Sequence, residues 1–141
     1  MNRRGMFHGA LAAAAGLFGA KAAAEEAKAP MKVVYHLSDF EKADFVLHNM
    51  RVHYENAGGP VTLALVVHGP AVRAFRRDGS GVTQERLAGL LKRGMSPYVC
   101  AVALRGQNME EKDLASGFLI TEAGTVRLAE LQRDGYLYIR P

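Results

Sequence analysis

One cysteine and two histidines carry the chemistry this 141-residue chain can offer. Cys100 is the only thiol, so the chain forms no internal disulfide. It lies in Ser96-Pro97-Tyr98-Val99-Cys100-Ala101-Val102-Ala103-Leu104-Arg105-Gly106, which reads as a short buried strand entering a small-residue turn. His36 and His68 each close a hydrophobic run, and the spacings His36 to His68 and His68 to Cys100 are equal. A thiolate attacks sulfur and binds metals, and an imidazole moves protons near neutral pH. A helix amide end near Cys100 would favour its thiolate, and Arg105 would add positive charge. Each residue also has a structural reading. A free cysteine is often a small buried hydrophobe, and a histidine can simply end a strand. His36, His68 and Cys100 include the ligand types zinc takes, but no local ligand pair supports a metal, and none is expected. No cofactor is expected either. Ser38-Asp39-Phe40 follows the first strand where a nucleotide-binding protein would have a glycine-rich turn. No Gly-x-Ser-x-Gly elbow is present for serine hydrolysis.

The elements that must position these residues follow from pattern. Lys32–Leu37 and Val61–Val67 are continuous apolar runs suited to central strands. Ser38 and Glu41 have capping-box spacing, and Ala43, Val46, Leu47, Met50 and Tyr54 then form one helical face to about Asn56. Gly58-Gly59-Pro60 stops that helix. After His68-Gly69-Pro70 the pattern predicts a short helix over Ala71–Arg76. A second helix follows, capped by Thr83, carrying Leu87, Leu90 and Leu91 and closed by Gly94. Tyr98–Val102 is the third strand. Asn108 and Glu111 would open a helix through Ala115, Phe118–Ile120 is a fourth strand, Val126–Leu131 a last helix, and Tyr136–Ile139 a fifth strand. Strands alternating with helices predict an α/β fold: three layers, α/β/α, around a mainly parallel five-stranded sheet of flavodoxin or Rossmann type. In such sheets ligands sit beyond the carboxyl ends of the strands, which places His36, His68 and Cys100 on one edge.

Residues 1–24 read as a cleaved export signal: Arg3-Arg4, then a small, apolar run from Met6 to Ala20, then Ala-x-Ala sites. The paired arginines suggest the twin-arginine route and a periplasmic destination. Residues 25–31 read as a linker and 32–141 as one domain. The full chain has a net charge of +4. The first 24 residues hold three of its eighteen basic residues and none of its fourteen acidic ones, so the domain is close to neutral. With no basic run beyond Arg76-Arg77, nucleic acid is not an expected partner. The apolar run is too short and alanine-rich for a membrane span.

The sequence resembles the DsrE/DsrF-like family of small sulfur-relay proteins over nearly all of residues 32–141. The resemblance rests on Val33-Val34-Tyr35-His36-Leu37-Ser38-Asp39, on Val66-Val67-His68-Gly69-Pro70, on Cys100 through Gly106, and on the closing run from Leu131 to Pro141. It implies a three-layer fold and homo-oligomers, often trimers or hexamers. It also implies sulfane sulfur held as a persulfide on a cysteine placed like Cys100, exchanged with donor and acceptor proteins. Arg105, His36 and His68 would then assist the thiol. The alternatives are an oligomeric binding or assembly module with Cys100 buried, and a metal-binding protein.

Overall fold

The computed structural model describes residues 28–141, so the expected export signal lies outside the described residues. Five parallel strands form one sheet: β1 (Met31–Leu37), β2 (Val61–Val67), β3 (Ser96–Cys100), β4 (Leu119–Thr121) and β5 (Leu137–Ile139). Their order is β4-β3-β2-β1-β5. The first four strands step across the sheet in one direction. The chain then returns to place β5 on the far side of β1, so the order reverses at β1.

Four α-helices complete the layers: α1 (Ala43–Asn56), α2 (Gly81–Lys92), α3 (Ala101–Gly106) and α4 (Gly124–Arg133). One face of the sheet carries the larger core. There Val33, Tyr35, Leu37, Leu63, Leu65 and Val67 meet Val46, Leu47 and Met50 of α1, Leu87 and Leu90 of α2, and Phe75. The other face is covered by α4, whose Leu128 and Leu131 lie over Val34, Ala64 and Val66. Burial on both faces explains why β1 and β2 read as continuous apolar runs without alternation.

Local departures from the sequence pattern have identifiable causes. Ser38 does not cap a helix. Its hydroxyl accepts a hydrogen bond from Arg140 (2.8 Å), and the chain makes a 3-10 turn over Phe40–Lys42 before α1 begins. Thr83 sits inside α2, buried, and donates its hydroxyl to Asp44 Oδ1 of α1 (3.0 Å). The turn after β2 is a 3-10 segment over Gly69–Phe75. The third strand ends at Cys100 and α3 starts at the next residue, two residues before the expected strand end. The later capping box belongs to Glu110 and Asp113, not to Asn108 and Glu111, and closes only one 3-10 turn.

The seating of α4 depends on Gly124. A Cβ there would stand 3.1 Å from the His68 Cβ and 3.3 Å from the Cys100 Cβ, both fixed to strand backbone ends. Replacing Gly124 with Val therefore forces α4 off the sheet. The expected loss is about 1–3 kcal/mol, read as a lowered midpoint in urea unfolding followed by circular dichroism; an unchanged midpoint would mean that α4 is not held at this distance.

Candidate functional site

Strand register brings the sequence candidates together. His36 is paired with Val66 across β1 and β2, and Val67 with Val99 across β2 and β3. One step further, His68 stands beside Cys100. Alternation along each strand then decides direction. Val34, Val66 and Tyr98 belong to the α4 face, so the Cβ atoms of His36, His68 and Cys100, each two residues on, stand on that face as well, while Cys100 also packs into the larger core beside Val99, Ala103 and Leu104. The contact of Gly124 with both Cβ atoms agrees.

The two histidines touch. His36 Nε2 and His68 Nε2 are hydrogen-bonded, and the His36 Nδ1 is 2.5 Å from the Tyr138 hydroxyl of β5. The imidazole centroids lie 4.5 Å apart with planes inclined by 27°. With both Nε2 atoms in contact, the rings meet edge to edge and in line. Tyr138 reaches them because β5 pairs with β1, with Tyr138 opposite Val34 and hence on the same face. Beyond these groups, Arg140 binds Ser38 Oγ and lies 3.9 Å from Asp39 Oδ2.

This environment holds both rings neutral. His36 is lowered from 6.5 to about 4, first by burial, then by the neighbouring His68 and by Arg140, with Asp39 opposing. His68 is lowered by burial and then by Arg140, again against Asp39.

Cys100 is buried, with 5% of its surface exposed. Its Sγ accepts the Ala103 amide at the start of α3 (3.4 Å), and its thiol faces the Glu122 carbonyl at 3.8 Å. Arg105 lies on α3, as far along as the sequence suggested, but its guanidinium is matched by Glu122 Oε1 at 2.6 Å in an exposed pair. Among the described residues no three His, Cys, Asp or Glu side chains gather closely enough to hold a metal ion. A groove of about 410 Å³ between α1 and α2 lies across the sheet from these groups. Its Arg51, Arg86 and Arg93 are paired with Glu55 and Asp44, and it contains no nucleophile.

Sequence reasoning did not single out Tyr138, Arg140 or Gly124 as parts of the site. The first two sit in the closing run that carried the family resemblance, so their pattern was visible. Their reach to His36 and Ser38 came only with the position of β5 beside β1.

The chain matches no protein-family model and no curated protein sequence. Solved structures do match. MTH1491 from Methanobacterium thermoautotrophicum, a protein of unknown function, aligns over 79% of this chain and 99% of its own at 25% identity and a TM-score of 0.69. The ychN protein of E. coli aligns over 80% of this chain and all of its own at 18% identity and a TM-score of 0.63. This chain shares their fold. No helix among the described residues is long and apolar enough to cross a membrane.

Acid should destabilise the protein through these histidines. Between about pH 6.5 and 4 the unfolded chain takes up a proton at His36 that the native ring refuses, so stability falls as pH falls through that window. Replacing His36 with Asn is expected to remove about 1–3 kcal/mol of that pH dependence, measured by denaturant unfolding at stepped pH. Replacing Arg140 with Gln is expected to raise the titration of His36 and His68 followed by NMR. No change in either would refute the stated cause.

Proposed function

We propose that this chain is an exported DsrE/DsrF-like sulfur carrier that holds sulfane sulfur as a persulfide on Cys100. The observation that carries the reading is the placement of Cys100. It closes β3 at the carboxyl edge of a parallel sheet, beside His68 and on the same face as the His36–His68 pair. Binding sites in such sheets gather at that edge; the order reverses at β1, which carries His36, and Cys100 lies two strands along.

The transfer balances without an external oxidant. Cys100 loses its proton, and the thiolate attacks the outer sulfur of a donor persulfide, R–S–SH. The donor S–S bond breaks and the Sγ–S bond forms. The donor thiolate leaves with the bond's electron pair and takes up a proton as R–SH. Passing the sulfur to an acceptor thiol repeats the exchange. The residues named from the sequence take different parts: His36 and His68 would handle the proton, while Arg105, paired with Glu122, belongs to a charged rim. The twin-arginine pattern before residue 25 supports a periplasmic setting, and the family resemblance supports a homotrimer or homohexamer.

A second reading, an oligomeric assembly module with an inert thiol, is favoured by the burial of Cys100. Two measurements separate them. After incubation with a persulfide donor, native mass spectrometry is expected to find one added sulfur atom on the wild type and none on the Cys100→Ser variant; equal loading of both would refute the carrier. A Cys100 that resists iodoacetamide in the native protein, yet reacts at once in urea, would establish the module.

A further inference from the structure

We infer that His36 and His68 form a two-coordinate site for a soft monovalent cation, copper(I) in kind, held in line between their two Nε2 atoms. The site is separate from the thiol. Cys100 turns its sulfur to the Ala103 amide and the Glu122 carbonyl. The inference concerns the histidine pair alone and does not rest on the carrier reading.

The pairing of the rings points to this ligand class. Both Nε2 atoms are aimed at one point between the ends of β1 and β2. With those atoms in contact, a centroid separation of 4.5 Å and planes inclined by 27° leave the rings nearly collinear. Each Nε2 lone pair therefore lies along the line joining the rings, as linear two-donor coordination requires. The far nitrogen of His36 is already engaged: its Nδ1 meets the Tyr138 hydroxyl at 2.5 Å. Metal-bound imidazoles are oriented by such a partner on the ring nitrogen that does not bind. His68 is partly exposed, so water can accept from its Nδ1–H. Two metal–imidazole bonds of about 2 Å each place the nitrogens roughly 4 Å apart, so one ring must draw back. His68 is the one free to do so, because it lies past the last residue of β2 and is the more exposed of the two. Binding releases no proton. Two neutral rings in contact share one proton between their Nε2 atoms. On binding, it passes to the other nitrogen of its own ring, and both Nε2 lone pairs go to the ion.

Donor count and charge select the ion. Among the described residues no third His, Cys, Asp or Glu side chain joins the pair. Zinc asks for four ligands and copper(II) for a tetragonal set, while calcium and magnesium ask for oxygen. Two collinear imidazoles suit a d10 ion of single charge, and imidazole is a ligand that copper accepts. Burial points the same way, because the cost of taking an ion out of water grows with the square of its charge. His36 is 8% exposed, and Leu128 and Leu131 of α4 bring an apolar layer over Val34 and Val66 beside it. Arg140 opposes a cation at this edge, and Asp39, 3.9 Å from Arg140, offsets that in part. That balance too favours single charge over double.

The test is titration of silver(I) nitrate, a redox-inert probe for copper(I), into the full chain carrying Cys100→Ser, which removes the one thiol as a competing ligand. Long-range nitrogen–proton NMR reads the histidine ring nitrogens directly. One equivalent is expected to move the Nε2 signals of His36 and His68 together and to leave those of the exposed His48 in place. Read at the His36 ring, His68→Gln is expected to weaken silver binding more than tenfold, and Tyr138→Phe about tenfold through the lost partner on Nδ1. Zinc(II) at the same concentration should leave both signals in place. Silver that binds without moving them, or an affinity at His36 that His68→Gln leaves unchanged, would overturn the site. A zinc-induced shift equal to that of silver would overturn the assignment to a monovalent ion. The ring signals are read on the unaltered pair, so misfolding of a variant cannot hide the answer. Persulfide loading is measured on the wild-type thiol, so the carrier can fail while this site stands, and the reverse.

Discussion

The parallel register of β1, β2 and β3 is the constraint on which the rest of the site depends. It sets His68 beside Cys100 and leaves His36 one diagonal away on the same face. A slip of one residue in either pairing would turn a histidine to the opposite face, into the core against α1 and α2. The apolar runs prevent that slip. Val33–Leu37 and Leu63–Val67 are buried throughout, so any shift would strand large side chains at the wrong layer. Packing that looks purely structural thus fixes the geometry of the only thiol.

The second determinant is how little lies between that edge and α4. Ala64 beneath the helix and Gly124 at its start allow a close approach. That approach removes water from the histidines and keeps them neutral. It also buries Cys100, which narrows the access of any large reactant to the thiol. The two readings of the thiol, reactive carrier or inert core residue, grow from this one fact.

Much of the architecture was legible in the sequence. Continuous apolar runs marked the central strands, and the Ala43–Met50 stripe marked α1 where it is found. The equal spacing of His36, His68 and Cys100 placed all three at one edge, and the register bears that placement out. Local side-chain competition was not legible. Ser38 has the sequence of a cap, yet Arg140, 102 residues away, takes its hydroxyl. Thr83 looks like a cap and instead ties α2 to α1 through Asp44. The early start of α3 was missed because Ala101-Val102-Ala103-Leu104 suits either strand or helix. The chain turns helical there as soon as β3 runs out of partners, with Cys100 accepting the Ala103 amide. Tyr138 was invisible as a site residue for a topological reason. Nothing local says that the last strand crosses back to lie against the first.

That return of β5 has a consequence in time. His36 and Tyr138 are 102 residues apart, and contacts of such separation carry the largest closure cost and tend to form late. A chain with β1 to β4 assembled already has its two histidines paired. It lacks the tyrosine, and it lacks the Arg140 charge that discourages protonation. Its imidazoles would be freer to charge. Completion of the sheet therefore sets the charge state of this edge: the histidine pair acquires its enclosed, neutral surroundings only with the final strand.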